Sequence, residues 1–163
     1  MTNLTNQIKA SLLSYYKWHK GAKLVATEVP TNHGIGDVLI MTKSLMVYEI
    51  EIKISVSDLK NELKKVYRNK AWEQWKLSNN EPNKYYFCVP SKMINETVDF
   101  VTKLNNKYGV IEYTANPYLK RRFKIVKKAQ YLNKLYNNYE DKMIQRINND
   151  LCKRYNLLYP INK

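Results

Sequence analysis

Two carboxylates and one amine stand close enough along this chain to share a reaction centre. Asp37 opens the apolar run Asp37-Val38-Leu39-Ile40-Met41, thirteen residues separate it from Glu51, and Lys53 follows Glu51 by two. Paired carboxylates supply the hard oxygen ligands that Mg²⁺ prefers and leave positions open for water and a phosphate oxygen. An ion held in this way polarises a phosphodiester, lowers the pKa of its bound water and stabilises charge that develops during displacement. A neighbouring lysine could orient or help deprotonate the attacking water, or stabilise the pentavalent phosphorus. Glu49, two residues before Glu51, and Glu28, at the end of an earlier run, are candidate additional ligands.

Strands are needed to hold these groups together. Leu45 to Ile54 alternates with period two, so Val47, Glu49, Glu51 and Lys53 share one face while Tyr48, Ile50, Ile52 and Ile54 share the other. A short Lys43-Ser44 turn joins this run to the one that begins at Asp37, which makes the two antiparallel neighbours. Like charges crowded on one face repel unless a cation or lysine balances them. The competing reading is a solvated face of an edge strand laced with Glu–Lys pairs.

The remaining elements follow from spacing. Leu4, Ile8, Leu12 and Tyr16 recur every fourth residue, so a helix ending near Gly21 is expected, followed by a strand from Lys23 to Val29 stopped by Pro30. Ser55 and Asp58 form a capping pattern for a helix from about Ser57 to Leu77 that carries Lys60, Lys64, Lys65, Arg68 and Lys70. A strand at Tyr85 to Val89 ends at Pro90, and Ser91 caps a helix built on Ile94, Val98, Val101 and Leu104 and stopped by Gly109. Val110 to Tyr113 and Phe123 to Val126 are short strands; Leu132, Leu135, Tyr139, Met143, Ile147 and Leu151 mark a last amphipathic helix over about 129–157. The expectation is one α/β (α+β) domain, a mixed central sheet flanked by helices, with a core over about 1–128 and a basic C-terminal helix.

Charge points to the partner. Lysine and arginine number 28 against 14 acidic residues, a net charge of +14, and from Lys120 onward there are twelve basic residues against three acidic ones. Such an excess attracts a polyanion through counterion release, and 14 tyrosines interleaved with it suit base stacking. DNA is the expected partner, with Lys64, Lys65, Lys120, Arg121, Arg122 and Lys124 as candidate contacts. Met1 to Lys20 has no continuous apolar stretch, and no segment approaches the ~20 apolar residues of a membrane span, so no membrane association is expected. Cys88 and Cys152 stand in no metal-ligand spacing and read as buried thiols. His33 is a weaker candidate for phosphate or metal, His19 reads as helix-terminal, and Trp72 and Trp75 as packing residues. No Walker loop, zinc finger or serine or cysteine triad signature is present.

Asp37, the thirteen-residue interval and Glu51-Ile52-Lys53 on a helix-then-hairpin pattern resemble the PD-(D/E)XK nuclease superfamily. Ile50-Glu51-Ile52-Lys53, Ser55 and Asp58 opening a lysine-rich helix, and the strand ending Tyr86-Phe87-Cys88-Val89-Pro90 look like a subgroup of small bacterial and phage nucleases that includes DNA-repair proteins. The resemblance covers roughly Ala22 to Tyr113. It implies a restriction-endonuclease-like αβββαβ core, Asp37 and Glu51 as metal ligands with the backbone carbonyl of Ile52, and Lys53 as the catalytic lysine. Glu28 falls where many members carry a further acidic residue. Mg²⁺, with Mn²⁺ able to substitute, a DNA substrate met in repair, recombination or phage DNA processing, and a cytoplasmic location are implied with it. The proline that names the motif is absent, and Ile35-Gly36 precede Asp37. Two other readings stay open: a non-catalytic nucleic-acid-binding protein on a nuclease-like fold, and a purely electrostatic DNA-packaging protein. The apolar stripe of the last helix could be core or the seam of a homodimer.

Overall fold

Leu4, Ile8 and Leu12 fall on one side of a helix, and in the computed structural model they fold as α1 (Asn3–Ser14), with Ile8 and Leu12 wholly buried. Residues 3–31, 34–68, 82–115, 122–134 and 139–158 are described. A single π-helical turn, Tyr15–His19, extends α1 to Gly21, whose φ of +62° is backbone that glycine adopts without steric cost.

Six strands follow: β1 (Leu24–Thr31), β2 (Gly34–Met41), β3 (Val47–Ile52), β4 (Lys84–Pro90), β5 (Gly109–Tyr113) and β6 (Phe123–Lys127). They lie side by side in sequence order in one sheet. The pairs β1–β2, β2–β3 and β5–β6 are antiparallel, whereas β3–β4 and β4–β5 are parallel. Parallel neighbours need crossovers, and α2 (Val56–Arg68) and α3 (Ile94–Leu104) supply them. The final helix is α4 (Glu140–Leu158). This is the mixed α/β sheet flanked by helices that the periodicities imply.

The two sheet faces are covered differently. On one, Ile8 and Leu12 of α1 pack on Val38, Ile40, Ile50, Ile52, Tyr86 and Ile111. On the other, Leu59 of α2 and Val101 of α3 pack on Phe87, Val89 and Val110, while Met143 of α4 and Tyr139 just before that helix cover Ala26, Leu39, Met41 and Val47. No helix among the described residues is long and apolar enough to cross a membrane.

Several local expectations change. β1 runs through Pro30, which pairs with Ile35, because β1 is an edge strand where a missing N–H costs no ladder bond. Ser55 Oγ does accept from the Asp58 N–H (3.2 Å), which caps α2; the expected continuation to Leu77 lies outside the described residues. Ser91 does not cap α3 with its side chain, since its hydroxyl donates to the Tyr113 carbonyl (3.3 Å) and a 3₁₀ turn precedes the helix. Gly109 is the first residue of β5 rather than the stop of α3, and a Cβ there would lie 2.4 Å from the Tyr86 ring.

The last helix begins at Glu140, not near residue 129. Gln130 N–H donates to the Lys107 carbonyl (2.8 Å) and Leu132 N–H to that of Asn83 (3.0 Å), so this stretch spends its donors on distant partners. Leu132 packs with the α2–α3 cluster instead of extending the stripe of α4. Cys88 is buried as expected; Cys152, on the outer side of α4, is exposed.

Candidate active site

The site forms where the β2–β3 ladder ends. The last pair is Val38↔Ile50, and one residue further the Asp37 side chain takes over the role of a strand carbonyl: its Oδ2 accepts the Ile52 N–H at 2.9 Å. The next amide, Lys53 N–H, donates across to the Cys88 carbonyl of β4 at 3.1 Å. Both strands of the fork are thus pinned by hydrogen bonds, and the side chains on it have fixed origins.

A helix residue completes one side. Lys9 of α1, 6% exposed, places its ammonium against both Glu28 and Asp37; the distance to Asp37 Oδ1 is 2.7 Å. Burial alone would lower the Lys9 pKa, but the hydrogen bonds and charges of Asp37 and Glu28 outweigh it and hold the pKa above its ordinary value. Glu28 adopts φ +55°, a left-handed conformation that L side chains rarely take, so β1 is strained at the residue that meets Lys9.

The charged face of β3 is not a solvated edge. β3 lies inside the sheet between β2 and β4, and Glu49 and Lys53 are 2% and 4% exposed. Lys53 Nζ reaches Glu51 Oε1 at 2.9 Å, Glu62 Oε2 of α2 at 2.8 Å and Asp58 Oδ1 at 3.9 Å. Burial opposes the charge on Lys53, yet Glu51 and Glu62 together raise its pKa, so it remains an ammonium at neutral pH and is unsuited to act as a base. Glu51 is pushed up to about 7, first by burial, with Lys53 opposing and Asp37 and Glu62 adding to the rise. Glu49 is pushed up to about 8 by burial and then by Glu51, Asp37 and Glu62.

Glu49 Oε2 is buried and has no hydrogen-bond partner among the described residues. A Cβ on Gly36, the residue before Asp37, would lie 2.6 Å from Leu39 Cδ1, 3.1 Å from Glu49 Oε1 and 3.2 Å from Thr31 Cγ2, so a larger residue there requires these side chains to shift.

Among the described residues no group of three or more His, Cys, Asp or Glu side chains stands ready to hold a metal ion. The donor chemistry suits magnesium all the same: Asp37 and Glu51 offer hard oxygens, the charge of Asp37 bears on the ionisation of Glu51, and Glu49 brings an unpartnered buried oxygen. Lys9 and Lys53 already balance these carboxylates, so a cation at Asp37 competes with Lys9.

The sequence-derived residues Asp37, Glu51, Lys53, Glu28 and Glu49 therefore gather at one end of the β1–β3 half of the sheet. Arg122 and Lys124 do not join them; both are exposed beside Phe123 at the β6 edge. Lys64 and Lys65 lie on α2, but their side chains, with Lys120, Arg121, His33, Trp72 and Trp75, fall outside the described residues. His19 stacks on Tyr15, ring centroids 6.0 Å apart. Lys9 and Glu62 were not found from sequence. Lys9 sits beside the apolar stripe of α1, and Glu62 one helical turn after Asp58; either position reads as ordinary helix surface until tertiary packing brings it to β1–β3.

No protein-family model matches the chain, and no curated protein matches it. Among solved structures it is similar to a protein of unknown function from Silicibacter pomeroyi, with a TM-score of 0.58 and 19% identity over 91% of this chain and 86% of that one. At that identity the likeness concerns the fold.

Proposed function

We propose that this chain is a metal-dependent deoxyribonuclease of the PD-(D/E)XK kind, with Asp37, Glu51 and Lys53 at its centre. The observation that carries this reading is the pairing of a half-buried Glu51 with a buried Lys53 on an interior strand next to an Asp37 fixed by the Ile52 amide. Asp37 and Glu51, with the Ile52 carbonyl, would hold Mg²⁺ or Mn²⁺. Such an ion, when bound, supplies Lewis acidity and a water of lowered pKa. Lys53 acts as a fixed cation: gripped by Glu51 and Glu62, its ammonium donates to the phosphate as charge builds on it. Glu62 and the Cys88 carbonyl keep that ammonium and its backbone in place. The net charge of +14 recruits the polyanion. Work on cellular DNA in repair, recombination or phage DNA processing, in the cytoplasm, belongs to the same proposal.

Supercoiled, linear, single-stranded and four-way-junction DNA, each with Mg²⁺, Mn²⁺ or EDTA, test the reading beside Asp37→Ala and Lys53→Ala proteins shown to be folded by circular dichroism. Metal-dependent cleavage lost in both variants supports it. Binding without cleavage on every substrate overturns it in favour of a second reading, a nucleic-acid-binding protein without turnover. One observation favours that alternative: Lys9 already pairs with Asp37 and Glu28, the carboxylates a cation would need.

A further inference from the structure

The sheet face that carries α1 holds a second site. α2, α3 and α4 all pack on the opposite face, leaving α1 and its π turn to cover this one, and a groove of about 1300 Å³ lies between that turn and the β5–β6 end. Rings of Tyr15, Tyr16 and Tyr48, half-buried, line it over the buried rings of Tyr86 and Phe123. Lys20, Lys43 and Lys124, all exposed, stand on its walls, and Glu112 is the one acidic residue among those lining it. A Cβ on Gly21 would lie 3.8 Å from Lys43 Nζ, so Lys43 leans over the end of the π turn beside Lys20. Single π turns inside helices recur at functional sites, and Tyr15, Tyr16 and His19 of this one line the groove.

Flat rings on the floor and cations on the walls match a ligand made of planar groups joined by anions. A duplex hides its base faces in its own stack and could use only the lysines; an aliphatic ligand would use only the floor. We propose that this groove binds single-stranded nucleic acid, bases stacked on the half-buried Tyr15, Tyr16 and Tyr48, and phosphates on Lys20, Lys43 and Lys124. The groove and the Asp37–Glu51–Lys53 cluster lie on opposite faces of the sheet, so this inference shares with the nuclease reading only the class of partner and does not depend on catalysis.

Fluorescence anisotropy with labelled oligothymidylate, its abasic counterpart and a duplex of equal length, on the full chain in EDTA, tests this. For the Lys43→Glu/Lys124→Glu double variant, affinity for oligothymidylate should fall about tenfold or more, and the slope of log affinity against log salt should shrink by roughly 0.7 for each phosphate no longer neutralised. The duplex should lose less, and the abasic strand should bind more weakly than oligothymidylate. Equal losses for single strand and duplex, or equal affinity for the abasic strand, would each overturn the proposal. If oligothymidylate binding falls as expected in the double variant and the parent cleaves no substrate, the nuclease reading fails and the groove stands; if DNA is cleaved and the double variant binds oligothymidylate as the parent does, the groove fails and the nuclease reading stands.

Discussion

The two faces of the sheet hold charge in opposite ways. Around Asp37, Glu51 and Lys53 the charges are half-buried or buried, paired and few, and each is fixed by a named partner. Around the groove the lysines are exposed, and one of them, Lys20, hangs over an aromatic ring, its Nζ 5.5 Å from the centre of Tyr15. Buried charges act strongly on whatever enters because no water screens them, whereas exposed ones act weakly each and in sum. The first arrangement suits chemistry at one bond, and the second suits holding a long polyanion.

Separate substitutions can break or sharpen that contrast. The largest effect is expected at Asp37 and Lys53: alanine at either should cut plasmid cleavage by about a thousandfold or more, while Lys43→Glu/Lys124→Glu leaves duplex cleavage nearly intact. Gel assays of these variants on one plasmid decide this, and equal losses would erase the distinction between the faces. Next is Lys9→Met, which leaves Asp37 and Glu28 facing each other without their cation. Urea titration in EDTA should show a loss of about 2–3 kcal/mol, partly restored by Mg²⁺. A Lys9→Met protein as stable as the parent in EDTA would show that the ammonium does not hold the carboxylates.

A smaller effect concerns pH. Glu49 and Glu51, pushed up to about 8 and about 7, retain protons in the folded protein that the unfolded chain, with carboxyls near 4.5, has already released. The stability this contributes is fully present below the unfolded pKa and lost as pH rises through the folded values. Metal-free protein should therefore weaken between about pH 5 and pH 8, and Glu49→Gln should flatten the profile. A profile that rises over this range in thermal melts contradicts the assignment. The smallest expected change is Gly36→Ala, where the added Cβ meets Leu39 and Glu49. It should cost about 1–2 kcal/mol, read from the urea midpoint, and leave oligothymidylate binding unaltered.

Much of the frame was legible in sequence because periodicity reports what each face meets. The alternation through Glu49, Glu51 and Lys53 set their common side, and the Lys43-Ser44 turn set the β2–β3 pairing. Whether that side met water was not legible, because the answer lies in α2 and α4, which fold over it from distant parts of the chain. Lys9 escaped notice for the same reason: its partners Glu28 and Asp37 lie far along the chain and join it only once α1 docks. The start of α4 was misplaced because Leu132 has helical spacing to the residues beyond it but is claimed by another cluster through the Asn83 carbonyl. Pro30 reads as a stop unless the strand is known to be an edge.

The strictly sequential order of the strands has a consequence for how the chain folds. Each strand pairs with the one before it, so the sheet can grow from β1 outward, through short turns at β1–β2 and β2–β3 and then, more slowly, through the α2 and α3 crossovers that close the parallel pairs. The exception is α4, which returns from the far end of the chain to β1, where Arg146 Nε donates to the Thr27 carbonyl at 3.1 Å across 119 residues. Until α4 arrives, Ala26, Val29, Leu39 and Met41 form an uncovered apolar strip beside an open strand edge. The moment of greatest risk of aggregation is thus the last docking step, and pulse-labelled hydrogen exchange during refolding should show β2 and β3 amides protected before those of α4.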